Sequence, residues 1–133
     1  YTIIGDQVNL ASRLEGLNKS YGSHLIISSF TKEKLKKSYP MRSLDWVKVK
    51  GKNDAVEIFE VMMDYNEQSA YIDDYNDALN DFRNEKLSSA LEKFKDLNEK
   101  INSKVYQLYI TRCEYYIQNP DIEFNAVETM TTK

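Results

Sequence analysis

Asn9 and Arg13, in the run GDQVNLASR over residues 5–13, stand four apart where a helix starts. Positions i and i+4 of a helix share a face, with Cβ atoms roughly 5–6 Å apart. An amide beside a guanidinium suits a ribose hydroxyl next to a phosphate, because the planar fork donates in parallel to two oxygens. On spacing alone, a solvated polar face is the simpler reading. Other chemistry-bearing side chains read more plainly. Asp6 precedes the helix and is a natural N-cap rather than a metal ligand. His24 opens a strand with no second ligand nearby, and Trp46 lies in a strand where packing explains it. KEKLKK over 32–37 is a solvated helix face, Cys113 on an apolar stripe is a small core residue, and Lys50-Gly51-Lys52 makes a good exposed turn.

The elements that position these residues follow from periodicity. YTII over 1–4 reads as the end of a buried strand. Gly5-Asp6 breaks it, and a helix over about 7–20 buries Val8, Ala11, Leu14 and Leu17, leaving 9 and 13 on the rim. Gly22 stops that helix. HLIIS over 24–28 is a second strand, and FTKEKLKKS over 30–38 a helix capped by Thr31 and stopped by Pro40. Residues 41–50 alternate apolar and polar, GKND over 51–54 turns the chain, and 56–62 alternates again, so these two strands pair antiparallel. The first half is therefore β-α-β-α-β-β.

Beyond Met62 the pattern becomes helical. Residues 63–68 form a polar linker. Three apolar stripes follow: Tyr71, Tyr75, Ala78 and Phe82; then Leu87, Ala90, Leu91, Phe94 and Leu97; then Tyr106, Tyr109, Cys113 and Tyr116. Ala78–Phe82 and Ala90–Phe94 match the small-x3-Phe spacing of tetratricopeptide helices, a spacing many helical hairpins share. Asn119-Pro120 ends the last helix, and residues 120–133 form a tail expected to be loosely ordered. The domain organisation is thus 1–62, a linker, helices over 69–119, and a tail.

Composition limits the function classes. The 133 residues are 41 % hydrophobic and 12 % aromatic, which supports a packed core, and the net charge of −3 argues against a dedicated nucleic-acid binder. No apolar run approaches the roughly 20 residues that cross a bilayer. The single cysteine fits a reducing, cytoplasmic setting, and tethering through an upstream region stays open. A chain opening on Tyr1 without methionine is expected to be a piece of a longer polypeptide.

The stretch YTIIGDQVNLASRLEGLNKSYG strongly resembles the class III nucleotidyl cyclases, the adenylyl and guanylyl cyclases, where G-D-x-V-N-x-A-S-R-L-E is diagnostic. The likeness continues in order through HLIIS, LDWVKVKGK and VEIFEV, covering residues 1 to about 62. It implies an α+β fold: the C-terminal part of a ferredoxin-like catalytic domain, followed by an all-α helical-hairpin segment. It further implies that Asn9 orients the ribose, and that Arg13 stabilises charge on the α-phosphate as the 3′-hydroxyl attacks and pyrophosphate leaves. Lys50 reaches the triphosphate, and Thr2 belongs to the base-reading pair. A threonine there leans toward adenine, since its hydroxyl donates or accepts. YITRCEYYIQNP also looks like tails that follow cyclase domains in some bacterial multidomain proteins.

The resemblance also implies what is missing. Two Mg or Mn ions are expected in the parent enzyme, on a pair of aspartates upstream of this chain, and the lysine that partners the base-reading residue lies upstream as well. No metal ligand is assigned within the chain. These cyclases work as head-to-tail homodimers, with metals from one protomer and the Asn/Arg pair from the other. The chain alone is accordingly expected to be inert, to offer half a site to a second protomer, and to leave sheet edges that the parent or self-association covers. ATP is the expected substrate, with GTP the variant. The competing class is an interaction module in which the helices offer an aromatic-lined groove to a protein partner and the cyclase half is a relic.

Overall fold

The computed structural model describes residues 26–34, 41–49, 53–62 and 70–130. The helix expected over 7–20 lies outside them, as does the linker. The described residues form a mixed α+β structure consistent with a partial ferredoxin-like domain followed by helices, and the chain divides into two compact units. One holds the strands; the other is Met62–Ala126.

The alternating runs after Pro40 are strands, as their period-2 pattern requires. β1 (Ile26–Ser28), β2 (Met41–Val49), β3 (Val56–Val61) and β4 (Val127–Met130) make one sheet in the order β1-β3-β2-β4. β1 and β2 run antiparallel to β3, whereas β4 runs parallel to β2. Trp46 and Val47 stand opposite Glu57 and Val56; beyond a bulge, Arg42 and Met41 stand opposite Glu60 and Val61. The bulge sits between Ser43 and Asp45, where β2 carries one residue more than β3. Such an insertion reverses which side the following residues face. One face of the sheet accordingly carries Ile26, Ser28, Arg42, Asp45, Val47, Ile58 and Glu60, all buried. The other carries Ile27, Ser43, Trp46, Lys48 and Glu57, partly exposed, with Phe59 buried among them. Helix α1 (Ser29–Lys34) follows β1 directly, and its Lys32 ammonium lies 4.2 Å from the centre of the Phe59 ring.

In the second unit, α2 (Ile72–Arg83), α3 (Leu87–Lys100) and α4 (Lys104–Gln118) are built on the expected stripes. Tyr75, Ala78, Phe82, Ala90, Phe94, Leu97, Tyr106, Tyr109 and Cys113 are all buried, and Leu79 joins them. Phe94 stacks on Tyr109 at 5.0 Å and 10°, while Phe82 meets Tyr109 edge-on at 5.1 Å. Tyr75 lies 6.1 Å from both Phe94 and Tyr106. The aromatics thus join all three helices, each pair adding about 0.5–1.5 kcal/mol beyond the area it buries. Between α2 and α3 the chain turns in residues 84–86 by a Schellman closure. Lys86 N–H donates to Asp81 C=O (2.8 Å) and Glu85 N–H to Phe82 C=O (3.0 Å), with Glu85 left-handed at φ 63°. Helix α4 ends at Asn119, whose backbone N–H and side-chain amide both donate to Tyr115 C=O, just before Pro120.

Two expectations are corrected. Helix α1 begins at Ser29, so Thr31 lies within it and is not its cap; Ser28, a favoured capping type, directly precedes it. The tail is not loose throughout. Val127–Met130 is a strand whose backbone groups find partners on the free edge of β2, which a tetrapeptide's weak sequence pattern does not announce.

Candidate functional site

The four residues assigned to nucleotide chemistry, Thr2, Asn9, Arg13 and Lys50, all lie outside the described residues. What the structure describes is the frame beside one of them. Lys50 directly follows β2; in that strand Trp46 and Val47 pair with β3 on one side and β4 on the other, while Lys48 and Val49 pair with Thr129 and Met130 of β4. The strand leading to Lys50 is therefore paired up to its last residue.

Inside that frame the sheet carries a buried ion pair that no sequence spacing marked. Arg42 Nε donates to Glu60 Oε1 at 2.9 Å and Nη2 reaches the same oxygen at 2.8 Å, with the two side chains 2 % and 4 % exposed. Asp45, buried on the same face, accepts from the Trp46 N–H through Oδ1 at 2.9 Å. On the opposite face the Ser43 hydroxyl donates to Glu57 Oε2 at 2.6 Å. The Arg42–Glu60 and Ser43–Glu57 contacts bridge β2 and β3, whereas the Asp45–Trp46 bond lies within β2; their chemistry is that of positioning.

The helical unit holds a second polar cluster. Asp81 Oδ2 accepts from Ser89 Oγ (2.7 Å) and Lys93 Nζ (2.6 Å), and Lys93 also pairs with Asp77 at 2.7 Å. The Lys93 hydrogen bond, helped by Ser89, holds the Asp81 carboxyl below its ordinary range, against burial that pushes it up. Asp77 first and Asp81 second raise Lys93. This cluster ties α2 to α3. Cys113 is fully buried and its thiol is pushed up to about 12, chiefly by burial, with Glu114 adding and Arg112 opposing. It is an inert core residue, as the stripe predicted.

The aromatic-lined groove expected of an interaction module is not what these aromatics make: Tyr75, Phe82, Phe94, Tyr106 and Tyr109 are spent in the core. Among the described residues, the large apolar side chains left exposed in this unit are Tyr115, Ile117 and Ile122. Among the described residues no group of three or more His, Cys, Asp and Glu could hold a metal ion. Also among the described residues, no helix is long and apolar enough to cross a membrane.

No family model matches the chain, and no solved structure matches it. Curated proteins do. A terminal-differentiation-specific adenylate cyclase of Dictyostelium discoideum is 34 % identical over 131 residues, spanning 92 % of this chain and 6 % of that protein. An adenylate cyclase of Anabaena cylindrica is 48 % identical over 63 residues, 45 % of this chain and 12 % of that protein. Adenylate cyclase 1 of Rhizobium meliloti is 44 % identical over 62 residues, 47 % of this chain and 9 % of that protein. The chain is thus similar in sequence to three adenylate cyclases. It spans only about 6–12 % of the length of these cyclases. Because the Dictyostelium match takes in 92 % of the chain, it extends into the helical unit as well as the sheet.

Proposed function

We propose that the chain is the C-terminal part of a class III catalytic domain in a parent adenylate cyclase that converts ATP to cyclic AMP and pyrophosphate. In this reading it supplies the Asn9/Arg13 half of a dimeric site, and a second protomer brings the two divalent ions. The observation that carries it is the similarity to three adenylate cyclases, joined to the GDQVNLASR run.

The physical roles follow from what phosphoryl transfer demands, which is alignment and charge neutralisation more than covalent help. Arg13 spreads its fork over the α-phosphate oxygens as charge builds there, Asn9 holds the ribose so that the 3′-oxygen approaches in line, and Lys50 takes the triphosphate. Thr2 reads the adenine edge. The helical unit is tetratricopeptide-like and belongs to the same polypeptide's cyclase function, which the extended match to the Dictyostelium protein supports.

The test is cyclic-nucleotide production by the longer parent with Mn²⁺ and ATP, and GTP run beside it. Arg13→Ala lowers turnover by about 10²–10³ with folding unchanged, and Arg13→Lys recovers little because a point charge does not replace the fork. Turnover close to the parent's in Arg13→Ala refutes the assignment.

A further inference from the structure

Two alignments are open to the β2–β3 hairpin, and the molecule takes the one that desolvation disfavours. β3 decides which of its side chains go inward: Ile58 and Glu60 share the buried face, at 0 % and 3 % exposed, while Glu57 and Val61 lie on the half-exposed one. Continued regularly from Val47 opposite Val56, β2 would set Ser43 opposite Glu60 and Arg42 opposite Val61, with Leu44 beside Phe59. The Arg42 guanidinium would then lie on the half-exposed face. The bulge instead sets Arg42 opposite Glu60 and Met41 opposite Val61. That choice interrupts the ladder and takes a guanidinium out of water. Apolar burial decides little between them, because Val47 and Ile58 stay inside in both and Leu44 has Phe59 for a neighbour in the regular one. What the bulge gains is the ion pair, with Arg42 Nε and Nη2 on Glu60 Oε1 at 2.9 and 2.8 Å. It also gains the Ser43–Glu57 hydrogen bond, on the half-exposed face.

We propose that the Arg42–Glu60 pair is the register selector of this hairpin: it holds β2 in the bulged alignment against the regular one, and it contributes a single pairing rather than stability. A buried ion pair replaced whole by apolar side chains of similar volume costs little stability. With both charges gone, nothing rewards bringing position 42 to the buried face, and the two alignments come close in free energy. Breaking one partner alone is different, since it keeps a charge in the interior. The inference stands on the pairing of β2 with β3 and is independent of the catalytic assignments above.

Nuclear magnetic resonance on the 133-residue chain carrying Arg42→Met/Glu60→Leu tests it. Before substitution, main-chain Overhauser contacts join position 42 with 60 and position 41 with 61, in one set of signals. The expected result for the double variant is a folded sheet with a second set, joining position 42 with 61 and position 43 with 60. That second alignment is populated to about 10 % or more, against below about 1 % before substitution. Ser43→Ala, which removes the Ser43–Glu57 bond and leaves the ion pair, keeps the single bulged set. A double variant that folds in the bulged alignment alone overturns the selector. So does one whose sheet no longer forms, because the pair's contribution is then stability. A second alignment in Ser43→Ala gives the selection to the Ser43–Glu57 bond and overturns it as well.

Discussion

Glu60→Gln is the sharpest test of how the sheet is held. The guanidinium of Arg42 gives two donors to one carboxylate oxygen, at 2.9 and 2.8 Å, where both side chains are almost sealed from water. Removing the carboxylate's charge breaks a buried ion pair, a change that costs about 3–5 kcal/mol. Glutamine keeps one acceptor oxygen, which places the loss near the lower end, about 3 kcal/mol. A unit of this size is stable by only about 3–10 kcal/mol in total, at about 0.05–0.15 kcal/mol per residue. The substitution therefore consumes much of the sheet's stability. Trp46 is the chain's only tryptophan and sits on β2, so its fluorescence reports unfolding of the sheet apart from the helices. In urea, with a slope of about 1–1.5 kcal/mol per molar for a small unit, the midpoint falls by about 2–3 M. The double variant Arg42→Met/Glu60→Leu recovers most of the loss, because an apolar pair of similar volume needs no counter-charge. A cost for Glu60→Gln below about 1 kcal/mol, the level of a solvated pair, refutes the reasoning.

Other expectations are as specific. Glu85 holds a left-handed conformation at φ 63°, so Glu85→Gly stabilises the helical unit by about 0.5–1 kcal/mol; thermal unfolding by circular dichroism checks it, and a loss of stability contradicts it. Asp81 is depressed, so its contribution is full above its unfolded value of about 4 and is lost as pH falls through the lower folded value. Lys93 is raised, so its contribution is full below its unfolded value of about 10.4 and is lost as pH climbs through the folded one. Asp81→Asn then flattens the acid limb of thermal stability against pH, and an unchanged limb argues against the network. Cys113, buried with its thiol pushed up to about 12, reacts with a maleimide at neutral pH only as fast as the helices open; rapid labelling of the folded chain contradicts its burial.

Much of this arrangement can be read from residue patterns, and its limits have physical causes. The strands at 41–49 and 56–61 are rich in β-branched and aromatic residues with a broken alternation, and the helical stripes repeat at 3.6, so both kinds of element declare themselves. The Arg42–Glu60 pair does not. A hairpin running regularly from Val47 opposite Val56 would set Arg42 against Val61, and only the extra residue near Leu44 moves it onto Glu60. No local rule demands that bulge. Asp81 hides for a related reason: an acid beside Phe82 looks solvated until Ser89 and Lys93 of the next helix close over it. β4 hides because four residues carry too little period to outweigh their position in a polar tail. For the candidate site, the residue types were legible at Thr2, Asn9, Arg13 and Lys50, and their spacing carried the resemblance. All four lie outside the described residues, and the resemblance alone assigns their roles.

The bulge also changes how β2 can vary in length. In an ordinary strand, losing one residue inverts everything downstream of it. Here the two halves already differ in parity, so deletion of Leu44 would restore an unbroken alternation that still sends Arg42, Asp45 and Val47 to the buried side. Deletion at Trp46 can be absorbed at the bulge too, keeping Arg42 and Val47 on the buried side while Asp45 changes side. The spare residue thus lets this strand lose one position and keep its register, but where that position is Leu44 the core also loses a fully buried side chain.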